Sequence, residues 1–448
     1  MMDRDKNKVW FFILPLLFIP LLLYAQDGFG FGETGDFGFG SDGLGFQSSS
    51  GFSVKIGGDV SAKLTGFFDD FGSVEQIKSM EPGDIFSGSL NFEASGASAG
   101  GIIKLDLSPV FDGSSPVGIN EAFVRAFFGP VTVEGGLRKL SWGKADSFGP
   151  LDVINPLDYS DLTKISDPQS VKIARPMIRA AWSLGSFSKL EGVFVPWFEG
   201  HKFAKSGRWA PNQVKDLETA GIDIDDYYPK TYTLDYAQAG LRFTTSVSSV
   251  DSGIQYYYGR LPRPAVNLRL TPYPEPSVNF NNYHQLGLDA AMVIAGFNIR
   301  AEAGVNVTGD LDGTDGTTEN PHPVWSLGFD RDLFLGINLN LQGTGRITLF
   351  HGEIGDSPLV DCQAGSDLTS TRITGIISRK FLRDELELKV TGLWGIEDKD
   401  FLVMPAITWS RNDVTAEIAA GIFAGDKMGE LGQYRDNSFI RLGLSYSF

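Results

Sequence analysis

The residues that most often carry catalysis are scarce in this chain of 448 residues. It contains four histidines and one cysteine, and none of them lies in a metalloprotease or hydrolase motif: His201, His284, His322, His351 and Cys362. A hydrolase whose His and Ser meet only in space stays open as an alternative. We predict that the protein is not an enzyme and that it has no cofactor.

A cluster of carboxylates lies in a Gly-rich stretch and resembles a set of calcium ligands: Asp310, Asp312, Asp315 and Glu319. Their spacing misses the EF-hand pattern by one residue. A solvated acidic loop is therefore the favoured interpretation, and we predict no metal site.

Arginine recurs at positions that alternate with apolar residues. If the apolar positions face lipid, the arginines point into the interior of a barrel together with several glutamates: Arg125, Arg138, Arg175, Arg179, Arg242, Arg300, Arg346, Arg372, Arg441, Glu121, Glu134 and Glu302. Buried charge is costly unless it is hydrated, so a wet interior is predicted. Two interpretations stay open: a structural Arg–Glu network that supports the wall, and a pore lined by arginine that favours anionic solutes.

The carboxyl end shows the clearest period of two. From Ile440 to Phe448 every even position is apolar or aromatic, and Arg, Gly or Ser falls between. A last strand that ends on Tyr446 and Phe448 resembles the insertion signal of outer-membrane barrels, which implies recognition by the barrel-assembly machinery. An edge strand of a soluble sandwich is the alternative.

The same period recurs upstream, at residues 297–307, 333–341 and 414–422. Tight links alternate with long polar stretches, as they do in bacterial outer-membrane barrels, whose short turns are periplasmic. The tight links are Gly129-Pro130, Gly185-Ser186, Ser248, Gly296, Arg331-Asp332 and Arg411 to Asp413; the long stretches are 142–171, 198–233, 261–282, 309–322, 351–369 and 425–436. We predict an all-β fold, a closed antiparallel transmembrane β-barrel of about 18 strands (16 to 20).

Composition agrees with this fold class. The chain has 54 Gly and 34 Phe, and its single Cys excludes a disulfide framework. Its mean hydropathy of -0.06 is too low for a helical membrane protein, but it suits strands that alternate between lipid and water. The net charge of -17 argues against nucleic acid as a partner.

The amino end has the layout of a secretory signal. Arg4, Lys6 and Lys8 precede an apolar run that ends near Ala25. An uncleaved anchor helix is the alternative, but the run is short for one. We predict a signal peptide at 1–25, a Gly/Phe-rich low-complexity linker at 26–51 and a barrel at 52–448.

One segment carries a family resemblance through Trp142, Gly143, Asp146, Asp152, Asn155, Pro156 and Asp158. It resembles an uncharacterised family of Gram-negative outer-membrane barrels marked by Trp-Gly-x-x-Asp followed by Asn-Pro-x-Asp. The resemblance implies fold and location, and the context of some relatives suggests the movement of hydrophobic or envelope molecules. By count this segment is the third long loop, and two placements stay open: folded into the lumen, where it narrows the pore, or capping the rim from outside.

The predicted function is an outer-membrane channel for small solutes. If arginines line the pore, these solutes are expected to be anionic. One alternative is a surface-exposed structural or adhesin barrel, which would use residues 198–233 with Trp209, Tyr227 and Tyr228. A transporter of hydrophobic envelope molecules is the other. The predicted partners are outer-membrane lipid, the assembly machinery and a small solute.

Overall fold

A computed structural model describes residues 44–47, 52–69, 85–109, 115–219, 221, 223–269 and 275–448. Eighteen antiparallel strands form the barrel within these residues. In chain order they are β1 Ser53–Phe67, β2 Phe86–Ser95, β3 Ala99–Leu107, β4 Val117–Phe128, β5 Val131–Arg138, β6 Arg175–Leu184, β7 Ser188–Val195, β8 Gln238–Val247, β9 Val250–Arg260, β10 Asn282–Ile294, β11 Phe297–Thr308, β12 His322–Asp332, β13 Ile337–Ile347, β14 Thr369–Phe381, β15 Leu386–Gly395, β16 Asp400–Arg411, β17 Val414–Gly425 and β18 Phe439–Ser447.

The sheet closes because β1 pairs with β18, from Asp59 opposite Ser447 to Phe67 opposite Phe439. Phe448 extends this seam, since its N–H and C=O both bond to the backbone of Gly58 at 2.9 and 3.0 Å. Closure removes free strand edges, which hydrocarbon does not tolerate. The predicted fold class is confirmed.

The outer face is apolar along the strands. On β18, Leu442 and Leu444 are 48% and 56% exposed, whereas the intervening positions turn inward. On β11 the inward side chains include Glu302 and Asn306, both buried. A surface of large exposed aliphatic and aromatic side chains outside a polar interior is that of a membrane-spanning barrel.

The connections alternate in length between two rims. Connections of two to four residues form the turn rim, and longer loops form the loop rim, where 396–399 is the short exception. We label five of the loops by position: L3 is 139–174, L4 is 196–237, L5 is 261–281, L6 is 309–321 and L9 is 426–438. They match the long stretches expected from the sequence to within a few residues.

One predicted turn was misplaced. The sequence suggested a link at Arg331-Asp332 and a strand through Leu333 and Leu335, but β12 continues to Asp332 and the turn occupies 333–336. Leu335 and Gly336 adopt positive φ of 61° and 68°, which ends the strand. Apolar side chains at the rim continue the period of two, so the pattern alone did not reveal the turn.

Loop-rim segments add a small amount of regular structure. Asp158–Tyr159 in L3 pairs in parallel with Lys202–Phe203 in L4, and L4 also holds an α-helix, Asn212–Thr219. Among the described residues no helix is long and apolar enough to cross a membrane.

The predicted signal peptide at 1–25 lies outside the described residues, as does most of the predicted linker. Within the linker, Leu44–Gln47 forms a short strand that pairs with the first residues of β1, from Leu44 opposite Ile56 to Gln47 opposite Ser53. The barrel itself begins at Ser53, next to the predicted boundary at 52.

Candidate functional site

L3 folds into the barrel and lies against the inner wall. Its base is closed by Asn155, whose Oδ1 accepts the N–H of Leu140 at 2.7 Å and whose Nδ2 donates to the carbonyls of Arg138 and Ile173 at 3.0 and 2.8 Å. Pro156 then accepts the N–H of Ile173 at 2.8 Å. The Asn-Pro pair therefore ties both ends of the loop together.

Trp142 anchors the first part of L3 to the wall. Its indole Nε1 donates to Glu191 Oε1 at 2.6 Å, and its ring meets Tyr257 edge to face at 6.3 Å. Gly240 of β8 leaves room for the ring, because a Cβ there would lie 2.5 Å from Trp142 Cη2. The residue is only 4% exposed.

Glu302 of β11 holds the turn that follows. Its carboxylate accepts the backbone N–H groups of Lys144, of Ala145 at 2.8 Å and of Leu151 at 3.3 Å. Gly143 sits at φ +90° against this carboxylate, and a Cβ at that position would overlap Glu302 Oε1. The Trp-Gly dipeptide thus combines an aromatic anchor with the one residue that permits the close approach.

Leu151 and the neighbouring backbone fill a socket in the wall. Leu151 is fully buried, and Cβ atoms on Gly287 and Gly304 would lie 2.6 and 3.0 Å from its Cδ2. Gln342 of β13 accepts the N–H groups of Asp146 and Ser147 at 2.9 and 3.2 Å. L3 therefore follows the inner wall from β5 as far as β13.

A row of side-chain amides receives the carbonyls of L3. Gln255 Nε2 donates to Leu151 O at 2.8 Å, and Gln285 Nε2 donates to Pro150 O at 3.0 Å. Because both amides are almost fully buried, their bonds to L3 have no solvent competitor.

Three aspartates of L3 are paired with cations. Asp146 meets Arg300 and accepts from Asn340 Nδ2 at 2.8 Å, and Asp152 meets Lys172 at 2.5 Å. Asp158 lies nearer the loop rim, where it meets Lys202 at 3.1 Å. The three aspartates organise the loop itself.

L3 also reaches the far side of the barrel. Arg441 Nη1 of β18 donates to Thr163 O at 3.1 Å. Leu162 and Ile165 pack into an apolar cluster with wall residues and loop residues of L4 and L9: Trp209, Leu393, Leu402, Met404, Phe423, Leu431, Tyr434 and Phe439. The loop therefore touches opposite walls, and of the two predicted placements the lumenal one is observed.

The predicted lumenal arginines lie on the inner side of the wall, and each is paired with a carboxylate. Glu134 contacts Arg125, Arg138 and Arg179, and the remaining pairs are Arg175–Glu199, Arg179–Glu191, Arg242–Asp289, Arg300–Asp330, Arg346–Glu319, Arg372–Glu430 and Arg441–Glu417. Glu121 pairs with Lys104 at 2.7 Å. This arrangement matches the structural Arg–Glu network; the contribution of these residues to a pore stays a prediction.

Loops also meet over the bore through Glu430 of L9, which bridges Arg263 of L5 and Arg372 of β14. Burial alone would raise the pKa of Glu430, but the two guanidiniums outweigh it and hold that pKa well below its usual range. The bridge is therefore ionised at neutral pH.

The acidic residues of L6 and one of the three aromatic residues of L4 singled out from the sequence make contacts within the protein instead of forming a binding site. Asp310 accepts three N–H groups of its own loop, from Gly313, Thr314 and Asp315, and among the described residues no group of His, Cys, Asp and Glu could hold a metal. Trp209, expected to bind outside, is buried in the apolar cluster, while Tyr227 and Tyr228 of the same loop are exposed.

The sequence reasoning missed the glycine socket and the buried amides. Both occupy inward positions of strands, so alternation could have located them. Their role depends on L3 lying against them, which no local pattern reveals.

These features define a class: a closed, membrane-type β-barrel with an ordered loop inside it. Comparison with solved structures finds similarity to Pseudomonas aeruginosa OccK11 (OpdR), with a TM-score of 0.49 at 10% identity over 89% of this chain and 96% of that one. Wzi, an outer-membrane protein of Escherichia coli involved in group 1 capsule assembly, gives 0.46 at 11% identity over 87% and 84%. The Acinetobacter baumannii channel DcaP gives 0.43 at 11% over 90% and 99%.

At these levels of similarity the likeness says nothing about activity. No family model matches the chain, and no curated protein matches it either. The predicted family resemblance of the Trp-Gly and Asn-Pro segment therefore stays a prediction.

Proposed function

We propose that the protein is an outer-membrane channel for small water-soluble solutes, with L3 as its constriction. The observation that carries this proposal is the attachment of L3 to opposite inner walls, through Glu302 and Trp142 on one side and Arg441 on the other. A loop that is attached to opposite inner walls reduces the cross-section of the barrel through which a solute can pass. Eighteen strands enclose enough space for an aqueous path beside a loop.

The two rims and the outer face support the proposed location in the outer membrane. Short turns are periplasmic and long loops extracellular in bacterial outer-membrane barrels. This orientation places L4 and L5 outside the cell and the turn at Asn412-Asp413 in the periplasm. Tyr446 and Phe448 face outward at the turn rim and act as the insertion signal.

The proposed selectivity is weak, with anions preferred only slightly. Each of the nine predicted arginines has a carboxylate partner, so its field in the lumen is largely cancelled. Asp146 adds a second carboxylate beside Arg300. Strong selection by sign requires an excess of one charge at the narrowest point.

A second candidate function is the passage of hydrophobic molecules. The supporting observation is the apolar cluster on the inner side of β15 to β18, where Leu402 and Phe439 are fully buried beneath L4 and L9. Entry of an apolar solute would require these packed side chains to separate. We therefore prefer the channel for water-soluble solutes as the proposed function.

Single-channel recording in planar bilayers tests the proposal. The parent protein should give small, regular conductance steps, and Glu302→Ala should give larger ones, because it removes the acceptor of three backbone N–H groups. Glu353→Ala, at an exposed site, is the control for loss of a carboxylate. Folded barrels that show no conductance in the parent or in Glu302→Ala would contradict the channel function.

A further inference from the structure

The amides beneath L3 belong to a longer chain of hydrogen bonds that crosses five neighbouring strands. Arg242 Nη1 donates to Gln255 Oε1 at 2.5 Å, Gln255 Nε2 donates to Gln285 Oε1 at 3.0 Å, and Gln285 Nε2 donates to Asn306 Oδ1 at 2.9 Å. Asn306 Nδ2 then lies 3.0 Å from His322 Nε2. We call this set the amide chain.

All hydrogen bonds of the amide chain run in one donor-to-acceptor direction, and the groups at its two ends determine that direction. Arg242 can only donate, so Gln255 must turn its oxygen toward it. At the other end His322 Nδ1 lies 2.9 Å from the carbonyl of Asn320, which can only accept, so Nδ1 carries the proton. His322 Nε2 is therefore the acceptor of a neutral ring, and the buried imidazole completes the chain.

We propose that protonation of His322 releases L3 from the inner wall and thereby widens the channel in acid; the widening rests on the proposed channel function. An imidazolium donates from both nitrogens, so Asn306 would have to turn its oxygen toward His322. Gln285 Nε2 would then lose its acceptor. Each amide in turn would have to reverse.

Reversal is incompatible with a docked L3. A reversed Gln285 would present Oε1 to Pro150 O, and a reversed Gln255 would present Oε1 to Leu151 O and its amide nitrogen to Arg242. Oxygen would face oxygen at two contacts, and donor would face donor at a third. Each buried polar group that loses its partner in this way destabilises the docked state, because water cannot replace the lost hydrogen bond. Docking of L3 and proton binding at His322 therefore exclude one another.

The charged groups beside His322 do not determine whether its protonation releases L3. Glu319 of L6 and Arg346 of β13 are the charged groups that face it, and they form an ion pair with each other at 3.5 Å. A second histidine also holds L3, since His201 Nδ1 accepts the N–H of Leu157 at 2.9 Å. Burial and the nearby Arg263 charge lower the pKa of His201 to about 3, so His201 stays neutral in mild acid.

Two substitutions distinguish release of L3 through the amide chain from a general effect of acid on the protein. His322→Gln keeps an acceptor for Asn306 but cannot be protonated. Asn306→Asp offers one carboxylate oxygen to Gln285 Nε2 and the other to an imidazolium, so the chain keeps its direction when His322 is charged. Both variants should hold L3 in acid, and His284→Gln, on the lipid-facing side beside Tyr256, is the matched control.

The release of L3 from the inner wall is measured by thiol labelling, which does not depend on whether the barrel conducts. In a Cys362→Ser background, Leu151→Cys places a thiol at a fully buried position of L3. Labelling by a polar maleimide, relative to unfolded protein at the same pH, should rise by up to about tenfold per pH unit below ~6.5, the ordinary pKa of an exposed imidazole. His284→Gln should behave as the parent, whereas His322→Gln and Asn306→Asp should show no rise.

Bilayer recordings over the same pH range complete the test. Conductance should increase in acid in the parent and stay constant in His322→Gln and Asn306→Asp. Labelling that does not depend on pH, or that rises equally in His322→Gln, would overturn the inference. Acid-dependent labelling in a barrel that never conducts would support release of L3 and contradict the channel function instead.

Discussion

Gly143 of L3 and Glu302 of β11 lie so close that any side chain at position 143 would overlap the carboxylate. Glu302 in turn accepts the N–H groups of the residues that follow Gly143. A glycine at positive φ and a buried glutamate thus determine together where the loop turns inside the barrel.

Gly143→Ala should displace the turn of L3 and enlarge the conductance step, because Glu302 must give way or the loop must leave the wall. Gly135→Ala is the matched control, since a Cβ at Gly135 meets nothing within 4 Å. Planar-bilayer recording compares them. Equal steps in the two variants and the parent would contradict the constriction.

Asp146→Asn should move the reversal potential toward anion preference, because Arg300 would retain only Asp330 as a charged partner. The shift should shrink at high salt, as the Debye length falls from ~10 Å at 0.1 M to ~3 Å at 1 M. Asp312→Asn makes the same change of charge at an exposed position of L6 and should leave the potential unchanged. A shift toward cations would contradict the assignment of Asp146 to the lumen.

Glu430→Gln should loosen L9, because a neutral amide cannot hold two guanidiniums as the carboxylate does. The pKa of Glu430 is lowered in the folded protein, so the bridge stabilises the fold above the carboxyl's ordinary pKa and is lost only as pH falls toward the lowered one. Protease cleavage within L9 should be faster in Glu430→Gln at pH 7 and unchanged in Glu353→Gln. Equal cleavage in the parent would show that the bridge does not hold the loop.

Deleting Phe448 should leave the chain unassembled, since the last residue pairs with Gly58 across the closing seam and faces lipid. Phe448→Tyr keeps the ring and the backbone bonds and should assemble normally. Membrane-integrated, heat-modifiable protein is the measurement. Undiminished assembly of the deletion variant would exclude the terminal signal.

Epitope tags should be accessible on intact cells when placed in L4 near Lys205 and inaccessible in the turn at Asn412-Asp413. The physical reason is that long loops and short turns occupy opposite rims of the barrel. Surface labelling of the Asn412 tag with a silent Lys205 tag would reverse the orientation.

The sequence by itself determined the barrel. The period of two in β11, β17 and β18 distinguishes a lipid face from an inner face, and the alternation of short and long connections gives the strand count. Both signals are local, because each residue's side is set by its neighbours two positions away. The inward positions of Arg138, Arg300 and Arg441 follow from the same rule.

Only the tertiary structure decided where L3 lies and what the inner charges do. The contacts that fix L3 join Trp142 to Glu191, Ala145 to Glu302 and Leu151 to Gln255, pairs separated by 49, 157 and 104 residues. The sequence marked these residues as polar, aromatic or small without indicating their partners. The closed sheet brings distant strands around one loop, so the glycine socket, the paired arginines and the amide chain exist only once the barrel has formed.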